Sequence, residues 1–377
     1  MKFNKLEYNL NVDFVPLNIR NFNKLIIKKT NYTGSYKIKT NENINLIDTN
    51  ILNIENLSCT WKKVYKVQLN YTLDFVPGDS IGLLCSNNDL LVNEMLSLLE
   101  MSGDTLLYIE QIGKTGFQFE GSLRDFFKYI FDFTSLPKKA WLMDISKTSK
   151  NKHDIEYLCS KEGVKDYLSI IKNWNNVLDI IYTFQCKPSL EDLIMNCQTI
   201  KPRYYSLTNH VNEKCEILVA IIKKGDRYGH VSNFIDMQNY NNLKICHRPS
   251  KLFRLNFCKK VLGICTGTGI APFFSFLKNK EDDQYIKLIY GFRNQEDDLI
   301  KDAKYKNTEI IKILSCNKIY VTDYLLQNLN KIKTYIKDGC LVYVCGRPDM
   351  QKTIYSIFNE NFSEIVKEKR LFFDSWI

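Results

Sequence analysis

Apolar and polar positions change their spacing along the chain, and each change predicts a different kind of structure. Residues 64–85 first alternate and then become continuously apolar around a Pro-Gly-Asp turn, which predicts two strands of an antiparallel barrel or hairpin. From about residue 88 to 200, apolar residues recur at helical spacing in five stretches, with Ser or Asn at starting positions. Strand patterns return at PRYYSLTN and CEILVAIIKK. In the last third, short apolar runs alternate with turns and helical patterns, which predicts a parallel, doubly wound sheet.

The first fifty residues have a weaker pattern. Two strand-like pieces, NKLIIKK and SYKIKT, lie among Asn-rich turns. We therefore treat residues 1–50 as a poorly defined N-terminal segment. The chain as a whole is predicted to be a mixed protein, in which a helical segment interrupts a β-rich one and an α/β domain follows.

Composition is that of a globular protein with two or three domains. The chain has 377 residues, of which 45% are hydrophobic and 13% aromatic. No apolar run is long enough to span a membrane, because the run at 177–184 is short and contains an acid. The N-terminus is polar and has no signal-peptide core. We therefore expect a soluble, cytoplasmic protein without a membrane anchor.

The cysteine spacing and the distribution of charge argue against a zinc-binding or disulfide-stapled protein and against a nucleic-acid binder. Twelve cysteines without CxxC pairs, and only four histidines, are a poor match to a zinc site or a secreted disulfide framework, so no metal is expected. The net charge of +10 comes from lysines scattered along the chain, whereas a nucleic-acid binder concentrates its charge in a stripe. Two explanations of the charge stay open: solvated lysines, or a basic docking face for an acidic partner or polyanionic cofactor.

Two strand ends in the last third carry candidate chemistry. At 261–273 an apolar strand runs into Thr-Gly-Thr-Gly-Ile-Ala-Pro, whose glycines allow close approach to a ligand while the next helix presents its N-terminus. This pattern is typical of a pyrophosphate site. Cys345 and Gly346 end a second strand at the same predicted edge, where a thiol followed by glycine can contact a flat ring.

Two earlier stretches point to a second phosphate site and to a flat aromatic ligand. GHVSNFI at 229–235 is a small turn opening a helix, where Ser232 and the backbone amides can bind phosphate. In PRYYSLTN, Arg203 can pair with a pyrophosphate, Tyr205 can lie against a ring system and Ser206 can donate a hydrogen bond to a ring atom. A strand with all three groups suits a flavin.

Together these motifs resemble the FAD- and NADPH-binding half of the diflavin reductases, which is related to ferredoxin–NADP reductase. The motifs that carry the resemblance are, in order, PGDSIGL, RYYS, GHVS, GTGIAPF, YGFRNQEDD, SCNKIYV, YVCG and a terminal DSW. The resemblance covers about residues 74 to 377. It implies an antiparallel FAD-binding β-barrel at 51–87 and 200–247, an inserted helical connecting domain at 88–199, and an NADP-binding α/β domain at 250–377.

The resemblance also implies roles for individual residues. FAD would be bound by Arg203, Tyr204, Tyr205, Ser206, Val219, Gly229, His230, Val231 and Ser232. NADPH would be bound by Gly267, Thr268, Gly269, Arg293, Ser315, Cys316, Lys318, Tyr320, Cys345, Gly346 and Met350. Ser206, Cys345 and Asp374 would surround the hydride-transfer centre, and Trp376 would stack on the isoalloxazine until nicotinamide displaces it.

Some positions depart from the family pattern. Cys316 occupies a place where the family often has an arginine for the 2′-phosphate of NADPH, and Lys224 stands where an aromatic residue often packs near the FAD adenine. No stretch resembles a flavodoxin-like FMN domain, so FMN is not expected in this chain. Within the family, the connecting stretch looks most similar to methionine synthase reductase.

The resemblance implies an NADPH-dependent FAD oxidoreductase that passes electrons to a separate flavodoxin-like or FMN-containing acceptor. Its downstream target would be methionine synthase. Four alternatives stay open: the cytochrome-reductase branch, the iron–sulfur-assembly branch, a plain ferredoxin–NADP-type reductase, and a flavin-free descendant kept as a binding module.

Overall fold

The computed structural model describes residues 13–16, 23–41, 44–57, 62–113, 116–135, 137–172, 176–224, 227–236, 243–255, 258–301 and 303–375. The strands in these ranges are β1 Lys24–Lys29, β2 Lys37–Thr40, β3 Ile47–Thr49, β4 Ile51–Asn56, β5 Val64–Thr72, β6 Ser80–Leu84, β7 Leu106–Ile112, β8 Phe117–Ser122, β9 Arg203–Ser206, β10 Lys214–Ala220, β11 Lys223–Lys224, β12 Arg227–Tyr228, β13 Leu243–Arg248, β14 Lys260–Thr266, β15 Tyr285–Phe292, β16 Thr308–Leu314, β17 Leu341–Gly346 and β18 Leu371–Ser375.

The α-helices in the same ranges are α1 Asp89–Leu98, α2 Leu123–Asp125, α3 Lys139–Ser146, α4 Lys152–Cys159, α5 Val164–Lys172, α6 Val177–Thr183, α7 Leu190–Met195, α8 His230–Asp236, α9 Ala271–Asn279, α10 Val321–Gln327, α11 Leu329–Lys337, α12 Pro348–Asn361 and α13 Ser363–Lys367. A π-helical turn follows α2 at Phe126–Ile130, and 3-10 turns lie at Gly267–Ile270, Gln295–Asp297 and Ser315–Asn317. Within the described ranges, no helix has both the length and the apolar character that a bilayer crossing requires.

The chain divides into two compact units, each built from separate segments. The first, which we call the helical unit, comprises Met1–Asn45, Leu84–Pro202 and Lys223–Asn239. The second, which we call the sheet unit, comprises Leu46–Leu83, Arg203–Ile222 and Tyr240–Ile377.

The helical unit contains a four-stranded antiparallel sheet in the order β1-β7-β8-β2. Strands β7 and β8 form a hairpin, with Leu106 opposite Ser122. Strand β1 pairs with the outer edge of β7 and β2 with the outer edge of β8, so both edges of the hairpin are covered. The strand prediction for the two N-terminal pieces is confirmed. The purely helical description of residues 88–199 is incomplete, because it passed over this hairpin.

Four helices of this unit begin after a Ser or Asn, the residue types that the sequence predicts at helix starts. Four N-cap side chains accept a backbone N–H bond, which satisfies donors that the first turn leaves free. They are Asn88, with a bond of 2.8 Å from Leu90, and Ser122, Asn176 and Ser189, with bonds of 2.9 to 3.1 Å from the residue three positions later. The five predicted helical stretches are confirmed as the sites of α1, α2 and α4 to α7, whereas α3 was not predicted.

The π-helical turn after α2 is held from a distant part of the chain. A π turn leaves carbonyls outside the regular α-helical bonding pattern. The buried Asn87 side chain donates its amide to Phe127 O at 2.7 Å and to Phe131 O at 2.6 Å. The aromatic rings of Phe126, Phe127 and Phe131 then pack edge to face in the core of the unit.

The sheet unit contains antiparallel sheets and one parallel sheet. Strands β10, β5 and β4 form one antiparallel sheet, and β3, β13, β6 and β9 form another. Strands β5 and β6, which the sequence predicted as a barrel pair or a hairpin, lie in different sheets and do not pair with each other. The hairpin alternative is therefore wrong.

The parallel sheet has the order β16-β15-β14-β17-β18. Its central strand β14 is parallel to β15 on one side and to β17 on the other, with Cys265 opposite Cys345. Alternate residues of these strands enter two separate apolar cores, one with Phe273 and one with Phe358. Because both faces are covered by helices, the strands are continuously apolar, as the sequence predicted for this third of the chain.

Candidate functional site

Three predicted catalytic side chains lie together in the sheet unit. The Ser206 hydroxyl donates to Asp374 Oδ2 at 3.3 Å, and the Cys345 thiol donates to the same oxygen at 3.8 Å. Cys345 and Asp374 are register partners on β17 and β18, while Ser206 ends β9. Ser206 and Cys345 are buried and Asp374 is half-buried. We call these three side chains the Ser-Cys-Asp cluster. Their role in hydride transfer stays a prediction, and Trp376 lies outside the described residues.

The predicted glycine turn lies directly after β14 and has two different requirements for glycine. Gly267 has a φ of +54°, and a Cβ added there would meet no atom within 4 Å. It therefore supplies a left-handed conformation beside open space. At Gly269 a Cβ would lie 2.5 Å from the Cys345 carbonyl oxygen, so only glycine lets the turn approach β17 this closely. Thr268, between them, is half-buried.

The turn lies at the topological switch point of the parallel sheet. From β14 the chain continues to β15 and β16 on one side and then returns to β17 on the other. Ligands of open α/β sheets bind outside the carboxyl ends of the strands at such a point. Here those ends present the glycine turn and Cys345 with Gly346. A Cβ on Gly346 would lie 2.6 Å from Met350 Cε, so the predicted Met350 borders the same place.

The predicted adenosine-end residues follow the next two strands. The backbone N–H of Cys316 donates to Arg293 O at 3.0 Å, and Ser315 Oγ donates to Phe292 O at 3.2 Å, so the ends of β15 and β16 are joined. Arg293, Cys316, Lys318 and Tyr320 are exposed. Two cations, a thiol and an aromatic ring thus face solvent at one edge of the sheet.

Strand β9 presents the predicted flavin-binding side chains on both faces. Successive side chains of a strand alternate, so Arg203 and Tyr205 share one face while Tyr204 lies on the other. Arg203 is exposed and Tyr205 half-buried. The Tyr204 ring lies 4.6 Å from the Arg248 guanidinium, which is a cation–π distance.

One predicted FAD contact lies in the sheet interior. Val219 is fully buried in β10, opposite Tyr65 of β5, and has no surface open to a ligand in this structure.

The predicted phosphate turn lies in the helical unit, at the start of α8. His230, Val231 and Ser232 are buried there, and the N–H of Asn233 donates to Gly229 O at 2.8 Å. A His230 ring nitrogen bonds to the Cys85 carbonyl at 2.8 Å. Since a carbonyl only accepts, this nitrogen carries the proton, and the ring anchors the turn to the residues that follow β6.

Comparison with known proteins agrees with this geometry. Residues 64–234 match the FAD binding domain family, and residues 264–355 match the oxidoreductase NAD-binding domain family. The sulfite reductase [NADPH] flavoprotein alpha-component of Buchnera aphidicola subsp. Schizaphis graminum is 26% identical over 83% of the chain and 56% of its own length. Methionine synthase reductase of Mus musculus is 22% identical over 80% of the chain and 56% of its own length. The chain is homologous to the FAD- and NADPH-binding half of the diflavin reductases.

A solved structure supports the same fold for this reductase-like chain. A mutant of ferredoxin–NADP+ reductase from Plasmodium falciparum, in complex with 2′P-AMP, superposes with a TM-score of 0.51 at 16% identity. The match covers 87% of the chain and 95% of that structure. The comparisons do not favour the methionine synthase reductase branch over the sulfite reductase branch. The chain spans 56% of the length of each curated relative named above.

The residues present fit both cofactors of such a reductase. The open, left-handed Gly267 suits a backbone that approaches a pyrophosphate, and the exposed Arg293 and Lys318 suit the charge of a nucleotide phosphate. For FAD, β9 offers an exposed guanidinium at Arg203, a phenol ring at Tyr205 and a hydroxyl at Ser206.

Sequence reasoning assigned no role to Asp79, the fully buried aspartate of the PGDSIGL motif. Its carboxylate accepts bonds from Val76 N at 3.1 Å, Ser250 N at 2.8 Å, His247 Nε2 at 3.0 Å and Arg254 at 3.2 Å. The turn residues before β6 signal the local bond from Val76, but the other three partners lie about 170 residues away. Asp79 therefore fixes the start of β6 to the segment that joins β13 to β14.

Proposed function

We propose that the chain is an NADPH-dependent FAD oxidoreductase that takes a hydride from NADPH and releases electrons singly to a separate flavodoxin-like or FMN-containing acceptor. The observation that carries this proposal is the Ser-Cys-Asp cluster at the switch point of the parallel sheet. A protein that kept this fold for binding alone would have no need of a hydroxyl and a thiol on one carboxylate oxygen beside a glycine turn.

The residues act by orientation and charge balance. When bound, FAD and NADPH supply the hydride transfer and the release of single electrons. Hydride transfer needs two rings in close contact with water excluded, so the protein has to position rather than react. The Ser206 hydroxyl and Cys345 thiol hold Asp374, whose carboxylate offsets positive charge that develops on nicotinamide. Trp376 would cover the flavin ring.

Preference for NADPH over NADH is assigned to the end of β16. Lys318 and Tyr320 are exposed and Ser315 is half-buried, and they would contact the 2′-phosphate. Cys316 contributes no charge, so Lys318 would carry most of the phosphate recognition. We propose the FAD-binding part at 51–87 and 200–247, the connecting part at 88–199 and the NADP-binding part at 250–377.

The acceptor is proposed to be an acidic, flavodoxin-like protein. The net charge of +10 would steer such a partner and raise the rate of association. Relatives named for sulfite reductase and for methionine synthase support two different final targets, and we keep methionine synthase as the first to test. A cytoplasmic location is part of the same proposal.

A visible spectrum tests the proposal. We expect the purified protein to bind FAD, to be yellow, and to bleach when NADPH is added without oxygen. A protein that stays colourless after incubation with FAD would sink the oxidoreductase proposal and favour the binding-module alternative. Reoxidation by added flavodoxin, compared with methionine synthase and sulfite reductase preparations, then tests the acceptor.

A pair of serine variants locates the chemistry. Ser206→Ala removes the hydroxyl bonded to Asp374 and should slow bleaching by NADPH at least tenfold, or about 1.4 kcal/mol in the barrier. Ser275→Ala is the control, because Ser275 is also buried but its hydroxyl donates to Asn209 O. Equal bleaching rates in both variants would remove Ser206 from the mechanism.

A further inference from the structure

A buried glutamine next to the Ser-Cys-Asp cluster has no role in the function derived so far. Gln351 lies in the first turn of α12 and is 6% exposed. Its side-chain nitrogen Nε2 donates to the Asp374 carbonyl at 2.5 Å and to the Gly346 carbonyl at 3.0 Å. Both N–H bonds of the amide therefore go to backbone oxygens, one at the end of β17 and one near the end of β18.

The fold explains why this side chain reaches both strands. Helical side chains tilt toward the N-terminus of their helix, and α12 begins two residues after β17 ends. Gln351 therefore points back at the carboxyl edge of the sheet. Strand β18 has five residues and pairs only with β17 in the five-stranded sheet, so its end needs a further attachment.

The consequence for the cluster is geometric. Asp374 can accept from Ser206 and Cys345 together only if its Cα stays in register with Cys345. The ladder holds that register from one side, and the Gln351 amide holds the Asp374 carbonyl from another. A shift of about 1 Å in this carboxylate would lengthen the Ser206 bond, already 3.3 Å, beyond hydrogen-bonding range.

We propose that Gln351 is a positioning residue for hydride transfer, which acts by fixing the backbone of Asp374 and so the carboxylate of the Ser-Cys-Asp cluster. This inference rests on the proposed oxidoreductase function. Helix α12 would thus contribute to hydride transfer through Asp374, without itself contacting a cofactor.

A double-mutant cycle tests the inference. Gln351→Leu keeps the volume and removes both donors, and we expect it to slow FAD reduction at saturating NADPH about tenfold with the NADPH KM changed less than twofold. Because Gln351 would act through Asp374, adding Gln351→Leu to Asp374→Asn should cost less than a further twofold. Multiplicative losses in the double variant, or an unchanged rate in Gln351→Leu, would overturn the proposal. Thr353→Val, exposed on the same helix, is the matched control.

Amide hydrogen exchange supplies a readout that needs no turnover. In Gln351→Leu we expect the amides of residues 371–375 to exchange at least tenfold faster, while those of β14 stay unchanged. Unchanged exchange across residues 371–375 would overturn the proposal that Gln351 fixes the backbone of Asp374, whether or not the wild-type chain reacts with NADPH. A wild-type chain that does not react with NADPH would by itself reject only the oxidoreductase function. Gln351→Met, unbranched and of similar length, replaces the leucine variant if that one does not fold, and the same outcomes decide.

Discussion

A matched pair of glycine substitutions separates a pyrophosphate cradle from an ordinary tight turn. Gly267 and Gly339 have φ values of +54° and +79°, and a Cβ on either would meet no atom within 4 Å. They differ in place, because Gly267 follows β14 at the switch point while Gly339 lies between α11 and β17. Alanine at each position therefore has the same local cost, and only one of them faces the proposed ligand.

The magnitudes follow from these two properties. A left-handed alanine costs about 1–2 kcal/mol, so both variants should lose this much free energy of unfolding. At Gly267 the new methyl group also enters the space where phosphate oxygens would approach the backbone. Overpacking of this kind costs about 1–3 kcal/mol, which weakens the Kd for NADP+ by about 5- to 150-fold.

Calorimetric titration with NADP+ measures the affinity, and denaturant unfolding measures the stability. We expect Gly339→Ala to bind NADP+ like the wild type and Gly267→Ala to bind it weakly at equal stability. If the two variants bind NADP+ equally well, the turn after β14 does not cradle the pyrophosphate, and the reasoning from its open space is refuted.

Three other predictions concern buried and exposed groups. Asp79→Ala removes a fully buried carboxylate and should cost about 3–5 kcal/mol of unfolding free energy, whereas the exposed Asp74→Ala should cost under about 0.5 kcal/mol. Equal costs of the two variants in denaturant unfolding would contradict the role of Asp79 in fixing the start of β6. Cys316 is an exposed thiol at the proposed adenosine end, so NADP+ should slow its alkylation at least tenfold in peptide mass mapping, and unprotected labelling would move the nucleotide elsewhere. Burial raises the pKa of Cys159 and of Cys197 to about 12 from an ordinary value near 9. Unfolded thiols thus lose their protons first, and stability should fall by up to about 1.4 kcal/mol per pH unit for each thiol above pH 9. A Cys159→Ala, Cys197→Ala double variant should lose these two contributions, so its stability should fall less steeply than that of the wild type in unfolding curves at pH 8 to 10.5.

The α/β part of the fold and its strand-end residues follow from local sequence patterns. Continuous apolar runs bounded by glycine turns predict parallel strands, and the carboxyl ends of parallel strands meet at one edge. This reasoning places Gly267 and Cys345 together without a structure. The meeting of Ser206 with Asp374, 168 residues apart in the chain, followed only from the family resemblance.

The hairpin in the helical unit was missed for a physical reason. Along β7 the inward positions are Leu107, Ile109 and Gln111, and the last of these is polar although it is only 2% exposed. Its amide donates to the Ile194 and Met195 carbonyls and so caps the end of α7. A buried polar residue at an inward position weakens the alternation that identifies a strand, and its partner helix is more than eighty residues away.

The N-terminal strands β1 and β2 limit how far the protein can be truncated from its N-terminus. A shortened version starting at the predicted barrel, at residue 51, would retain β7 and β8 but lose the strands on both of their outer edges. Two rows of unpaired backbone groups, with the apolar surface that Leu25 and Ile27 had covered, would then invite pairing between molecules. Residues 24–40 thus protect the edges of the β7–β8 hairpin from aggregation, and a truncated protein made for expression should retain them.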